Sequence, residues 1–477
     1  MTRIRPAAAL RAGIAAAVLL VCAGSFVAGP AGGAPGAGGT DWSRFGFDAA
    51  RSDAGPAATG ITAGNVARLA RLQVRLDGTV DSSPIYLHGV TVAGKRRDVF
   101  FVTTTYGRTE AIDADTGRVL WRYQPPTYSA YAGSAQITNM SPVADPSRDA
   151  IYAGAPDGRI RKLSVATGRQ LWSTSITADP THEKLTSSLN LSRGLVLATT
   201  GGYFGDAPPY QGHLVALSAS SGAITAVWNS LCSDRRELIE PASCAASDSA
   251  IWARSGAVVD PATGDILVAT GNGPWNGRTN WGDSVLVLAP DGSRLLRHWT
   301  PTNQAELNRS DADLGSTAPA LLANGLFVQG GKDGKLRLLS LRALPGVNAR
   351  TGGELQTVST PGGADLFSAP AVWQGSWVFV ADAAGTAAWR LDGGKLRKVW
   401  SNGRGGTSPV VAGGLLYVEG SGGIAVYRPQ TGRRLTELPI GTVHWQSPIV
   451  ADGRVAAAEG DANEHATHGV LDIYRLP

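Results

Sequence analysis

The 477-residue chain carries 43 Lys and Arg against 38 Asp and Glu. Three of those arginines fall before residue 13, and without them the balance is 40 to 38, which leaves no electrostatic footprint for a polyanion such as nucleic acid. No segment approaches the roughly 20 apolar residues that a membrane-spanning helix requires.

Arg3, Arg5 and Arg11 lead into an apolar run from Gly13 to Val27, followed by the small residues of "AGPAGGAPGAGG". This order of charge, apolar core and small-residue stretch predicts an export signal over 1–34, cleaved near residues 28–34, and an extracytoplasmic or secreted protein. Residues 35–65 form a lead-in segment. Next comes "VARLARLQVRLDG", Val66 to Gly78, a strand-like segment with no neighbour of its own.

The rest of the chain repeats itself. "SPIYLHGV" at Ser83 returns as "NMSPVADPSRDAIYAG" near Ser141, "STAPALLANGLFVQG" near Thr317, "FSAPAVWQGSWVFVAD" near Ser368, "TSPVVAGGLLYVEG" near Ser408 and "QSPIVADGRVAAAEG" near Ser447. Two diverged copies, near Ser188 and Ser255, bring the number to eight. Each copy alternates short β-branched strands with tight turns, and the clearest third and fourth strands read "AIDADTGRVLW" and "KLSVATGRQLW". Glycine in that turn suits its left-handed position. A tryptophan recurring at the strand end (Trp121, Trp172, Trp228, Trp299, Trp400) suits packing between neighbouring units.

Such repeats predict an all-β, eight-bladed propeller of four-stranded blades over 66–477. The last copy stops at "VLDIYRLP" without a fourth strand. The unpaired N-terminal strand is free to complete it and close the ring.

Two further features stand out. Cys232 and Cys244, with eleven residues between them, predict a local disulfide in an exported protein. "ATGNGPWNGRTNWGD", Ala269 to Asp283, crowds glycines, amides and two tryptophans into one turn. It is either a loop pinned by its own tryptophans or a wall of a binding site. No nucleophile arrangement for hydrolysis is present, and His465 and His468 of "HATH" read as surface residues.

The Trp-ended "DxxTGxxxW" repeats resemble the PQQ-binding propeller superfamily, which includes quinoprotein alcohol dehydrogenases and a non-catalytic outer-membrane assembly factor. The resemblance covers about Asp41 to Pro477. It implies that Asn272, in "TGNGPWN", is a calcium ligand, since a side-chain carbonyl is a suitable hard donor. In "NRSDADLGSTAP" it points to Asp311, with Asp313 the neighbouring alternative, as catalytic base and second metal ligand. Lys332 in "GGKDGKLRLL" would stabilise charge developing on a quinone. Thr186 and Thr200 correspond to hydroxyl residues that contact the cofactor. Trp252 stands two residues from the ring-stacking position, which Arg254 occupies, and Trp445 is a second aromatic near the axis.

Other positions depart from the family. Tyr203 stands near the place of a calcium-binding glutamate, with Asp206 close by, and neither an adjacent cysteine pair nor a haem motif is present. The resemblance thus implies an exported dehydrogenase using PQQ and calcium on an alcohol or sugar, with a separate electron acceptor. The alternative is a non-catalytic propeller that binds a protein or glycan.

Overall fold

Eight antiparallel sheets follow one another along the chain in the computed structural model, which describes residues 39–477. The expected export signal lies outside the described residues. Seven blades are formed by consecutive segments, 85–123, 143–175, 183–229, 258–299, 320–359, 371–402 and 410–438. The eighth, 449–475, takes its outermost strand from the N-terminal side. Ala70–Leu76 pairs with Gly469–Arg475, with Val74 opposite Leu471. The sequence-predicted closure is therefore the one the fold uses, and it leaves the ring no free edge at that seam.

Burial follows strand position. Ala150–Ala155 and Leu415–Gly420, both second strands, are buried along their whole length, while the outermost Lys395–Asn402 is largely exposed. Strands covered on both faces read as continuous apolar runs rather than alternating ones. Among the described residues no helix is long and apolar enough to cross a membrane.

The tryptophan–glycine grammar has a direct structural basis. A Cβ on Gly168, whose φ is +71°, would lie 2.6 Å from the Trp121 ring of the preceding blade. The same distance separates a Cβ on Gly222 from Trp172, and one on Gly432 from Trp400. Glycine thus serves twice here, allowing the left-handed turn and admitting the neighbour's indole. Trp121 Nε1 donates to the Val165 carbonyl at 2.8 Å and Trp400 Nε1 to that of Pro429 at 2.7 Å. Trp228 and Trp299 instead lie wholly within the core.

The lead-in winds across the blades rather than standing apart from them. The Trp42 and Tyr86 backbones exchange two hydrogen bonds of 2.8 Å on blade 1, and Ser43 accepts from Ala144 on blade 2. On blade 3, Arg44 donates to Asn190 Oδ1 and the buried Arg51 to the Leu189 carbonyl. Ala49 then accepts from Val259, Ser52 from Val372 and Asp53 from Val411, and the Thr59 carbonyl meets the N–H of Gly453. Blades 4, 6, 7 and 8 are engaged in turn.

The disulfide joins Cys232 and Cys244, with Cα atoms 6.2 Å apart.

Candidate functional site

A cavity of about 420 Å³ lies where the N-terminal ends of the innermost strands converge. Asn139, Thr186 and Arg254 line it a few residues before their strands reach Ala144, Asn190 and Val259, which bond the lead-in at the opposite end. Seven of the sequence-derived candidates line this cavity, namely Thr186, Asp206, Trp252, Asn272, Asp311, Lys332 and Trp445. Asp313, Arg254 and Tyr203 line it as well. Thr200 does not. Its hydroxyl donates to the Gln211 carbonyl at 3.1 Å and accepts from the His213 N–H at 2.9 Å, inside blade 3.

Three aromatic rings form one wall. Trp252 lies 6.1 Å from Trp445 and 5.9 Å from Phe367, and Phe367 stacks on Trp445 at 5.9 Å. Lys332 Nζ sits 5.5 Å from the centre of the Trp252 ring, and the Arg254 guanidinium is 4.2 Å from that of Trp445. Cations over indole faces gain from the ring quadrupole, more so when desolvated. Phe367 opens the "FSAP" of an ordinary repeat, and nothing in that string marks it as a pocket residue.

The mouth-side group is acidic with a single ammonium at its centre. Lys332 Nζ lies 2.6 Å from Asp313 Oδ2 and 2.9 Å from Asp311 Oδ1. Asp313 is almost wholly buried and also accepts the backbone N–H of Asn272, whereas Asp311 is well exposed. Burial pushes the Asp313 carboxyl up despite its lysine. Burial works to lower Lys332, but Asp313 and Asp311 together hold it above its ordinary value. Behind them Asp283 is fully buried, its Oδ1 accepting the Leu314 N–H at 3.1 Å, and burial raises its carboxyl to about 8.

The long turn Ala269–Asp283 is held by its own side chains and also reaches the cavity. Trp281 is buried, donates to Ser233 Oγ at 3.0 Å and packs on His298. Asn276 Oδ1 accepts the N–H groups of Arg278, Thr279 and Asn280. These residues hold the loop, leaving Asn272 as its one contribution to the cavity lining.

On the rim, burial raises the Asp206 carboxyl, which accepts the Tyr210 hydroxyl at 3.1 Å. The adjacent Phe204 is 91% exposed. Among the described residues, Asp206, Asp311 and Asp313 do not form a group whose oxygens all come within metal-sharing distance of one another.

At the inner end the charge reverses. Lys184, on the short strand Glu183–Leu185 that pairs with the Thr200–Gly202 stretch, and Arg254 are each 6% exposed. The carboxylate facing them, Asp81, is completely buried. It takes the His444 ring at 2.6 Å and Asn139 Nδ2 at 2.8 Å, with Arg254 Nη2 3.8 Å away. Burial alone would raise Asp81, but these donors and cations hold it below its ordinary value. Burial, aided by Arg254, lowers Lys184 to about 7. Nothing in "HEKLTSS" marks Lys184 as a cavity residue. Its strand is interrupted at residues 186–189, so the inward direction of its side chain is not readable from alternation.

A sequence family described as outer membrane protein assembly factor BamB matches residues 70–270 and 257–463. The quinohemoprotein alcohol dehydrogenase ADH IIB of Pseudomonas putida is 26% identical over 254 residues, taking in 48% of this chain and 34% of its own length. The chain therefore spans about a third of the length of that curated relative. Among solved structures, the quinohemoprotein alcohol dehydrogenase from Comamonas testosteroni superposes with a TM-score of 0.68 at 17% identity, covering 91% of this chain and 80% of that one. A europium-containing methanol dehydrogenase gives 0.67 at 16% identity, over 91% and 98%. These likenesses are of fold.

Proposed function

The chain belongs to the PQQ-type propeller family described as outer membrane protein assembly factor BamB, and from that premise we propose that it is an exported quinoprotein dehydrogenase acting on an alcohol or sugar. The observation that carries the reading is the convergence of Asn272, Asp311 and Lys332, from blades 4 and 5, on one cavity walled by Trp252, Phe367 and Trp445. One curated relative is named as a quinohemoprotein alcohol dehydrogenase.

The residues present suit a flat, anionic quinone. The aromatic wall offers stacking faces, and the buried Arg254 Nη2 is a donor with no hydrogen-bond partner. PQQ, when bound, would accept the substrate's two electrons. Lys332 would stand beside the developing negative charge, where a preorganised cation in a dry site is most effective. Asp311, the most exposed carboxylate of the group, would take the proton from the substrate hydroxyl. Calcium would find a neutral oxygen on Asn272 and anionic ones on Asp311 and Asp313. Lys332 engages both carboxylates, so it competes with the ion. Residues 1–34 would direct export, residues 35–65 would underlie the ring, and 66–477 would form the working propeller. A separate acceptor would reoxidise the quinone.

A second reading is a scaffold that binds a protein or glycan partner at this face. Tyr203, standing where the family places a calcium-binding glutamate, and the exposed Phe204 beside it favour that reading.

The test is a titration of the mature protein with PQQ, with calcium, europium or neither ion, alongside Lys332→Ala and Asp311→Asn. Saturable, metal-dependent binding that Lys332→Ala loses, and dye reduction with an alcohol that Asp311→Asn abolishes, are the results expected. Absence of saturable binding at high micromolar PQQ overturns the dehydrogenase and leaves the scaffold.

A further inference from the structure

The inner end of the cavity has its own chemistry. Two cations, Lys184 and Arg254, are more than nine-tenths buried and line the same space. Facing them is a single fully buried carboxylate, Asp81, whose Oδ2 is already shared by His444 and Asn139. Asp461, the next acid, is partly solvated, lies 3.1 Å from His444 and caps the N–H of its own Asn463. Buried charge without a full complement of partners is costly, and a lysine so placed responds by losing its proton. That is the direction taken by Lys184, which falls to about 7.

Arg254 carries the same message in geometry. Its Nη1 reaches the Asn139 and Thr186 carbonyls only at 3.4 Å, and its buried Nη2 has no hydrogen-bond partner. A planar guanidinium with spare donors is suited to carboxylate recognition. Beside it lie the faces of Trp445, Phe367 and Trp252.

We propose that Lys184 and Arg254 form an anion subsite at the inner end of the axial cavity, which takes a carboxylate borne on a planar aromatic ring lying against Trp445. The inference rests on the quinoprotein reading only for the identity of the natural ligand, one of whose carboxylates would seat here. Lys184 accepts a proton as the anion arrives, so affinity falls about tenfold for each pH unit above the free-state value near 7. The charged and titratable groups facing Lys184 are Arg254, Asp81, Asp461 and His444; burial chiefly sets its value, Arg254 lowers it further, and Asp81 and Asp461 oppose the fall.

The experiment is quenching of tryptophan fluorescence by benzene-1,2,4-tricarboxylate, by PQQ and by inorganic phosphate, on the mature protein without added metal. Saturable quenching by the aromatic tricarboxylate is expected, with phosphate at least tenfold weaker. Lys184→Met and Arg254→Met should each weaken the tricarboxylate tenfold or more, whereas Lys184→Arg should restore most of the loss. Wild-type binding should take up a proton, measured as a dependence of the binding heat on buffer ionisation. Tricarboxylate affinity unchanged in Lys184→Met, or no saturable quenching at all, overturns the subsite. If PQQ fails to bind while the tricarboxylate binds through Lys184, the quinoprotein reading falls and the subsite stands. If PQQ and the tricarboxylate both bind equally well to Lys184→Met, the subsite falls and the quinoprotein reading stands.

Discussion

Lys332 Nζ lies 2.6 Å from Asp313 Oδ2, with side chains 16% and 6% exposed. Removing one member of a buried pair leaves the other uncompensated, at about 3–5 kcal/mol. Lys332→Met is therefore expected to lower stability by about 3 kcal/mol. The same change frees the oxygens of Asp311 and Asp313, so calcium should bind more tightly even as anionic ligands bind more weakly. Chemical denaturation and isothermal titration with calcium check the two halves. Equal calcium affinity in both proteins would show that lysine and ion do not compete.

Asp283 titrates in a telling direction. Its carboxyl is raised to about 8 in the folded protein, against about 3.9 in an unfolded chain. The folded state therefore holds a proton that the unfolded state has released, and stability declines as pH rises from about 4 towards 8. Above that window the loss from this group is complete. Asp283→Asn keeps an acceptor for the Leu314 N–H and carries no charge, so its stability should vary less with pH over this range. Melting curves from roughly pH 4.5 to roughly pH 8.5 decide the matter, and parallel curves would contradict it.

Gly168→Ala places a methyl group against Trp121 at a backbone φ of +71°. The left-handed backbone costs roughly 1–2 kcal/mol and overpacking a further 1–3 kcal/mol or so. The expected loss is thus about 2–5 kcal/mol, with a similar effect for Gly432→Ala against Trp400. Equilibrium unfolding of both variants measures it. A loss below about 1 kcal/mol would mean that the indole moves aside freely.

The Cys232–Cys244 bond closes a short loop, at a sequence separation of 12. Closing a loop of this size is worth about 2–3 kcal/mol. Reduction, or paired substitution by serine, should lower the melting temperature by a few degrees without changing the far-ultraviolet spectrum. An unchanged melting temperature would show that the loop is held by its other contacts.

The ring was legible in the sequence because its determinants are local and repeated. Strand and turn recur eight times, five copies add a tryptophan at the strand end, and the unpaired strand at Ala70–Leu76 revealed the seam. The outer half of the cavity was legible for another reason. Asn272, Asp311 and Lys332 sit in turns whose residue order resembles a known site. The inner half was not. Lys184 lies in an interrupted strand, Phe367 looks like any residue opening a repeat, and Asp81 meets His444 across more than 360 positions. Thr200 shows the converse, a residue whose alignment with a cofactor contact does not prevent a neighbouring strand from using its hydroxyl. The course of the lead-in was equally hidden, since scattered single backbone bonds leave no periodic trace.

That lead-in changes how the ring must come apart and come together. In a simple circle of repeats each unit senses only its two neighbours, so one blade could loosen while its opposite number stayed whole. Here one stretch bonds Tyr86 on blade 1, Val259 on blade 4 and Val411 on blade 7. Distant blades therefore share a common tether, and their slowest amide protons should exchange at a common rate. The order of assembly is constrained as well. The tether and the seam strand precede in sequence every blade they bind, and neither is fully seated until the blade at 449–475 exists.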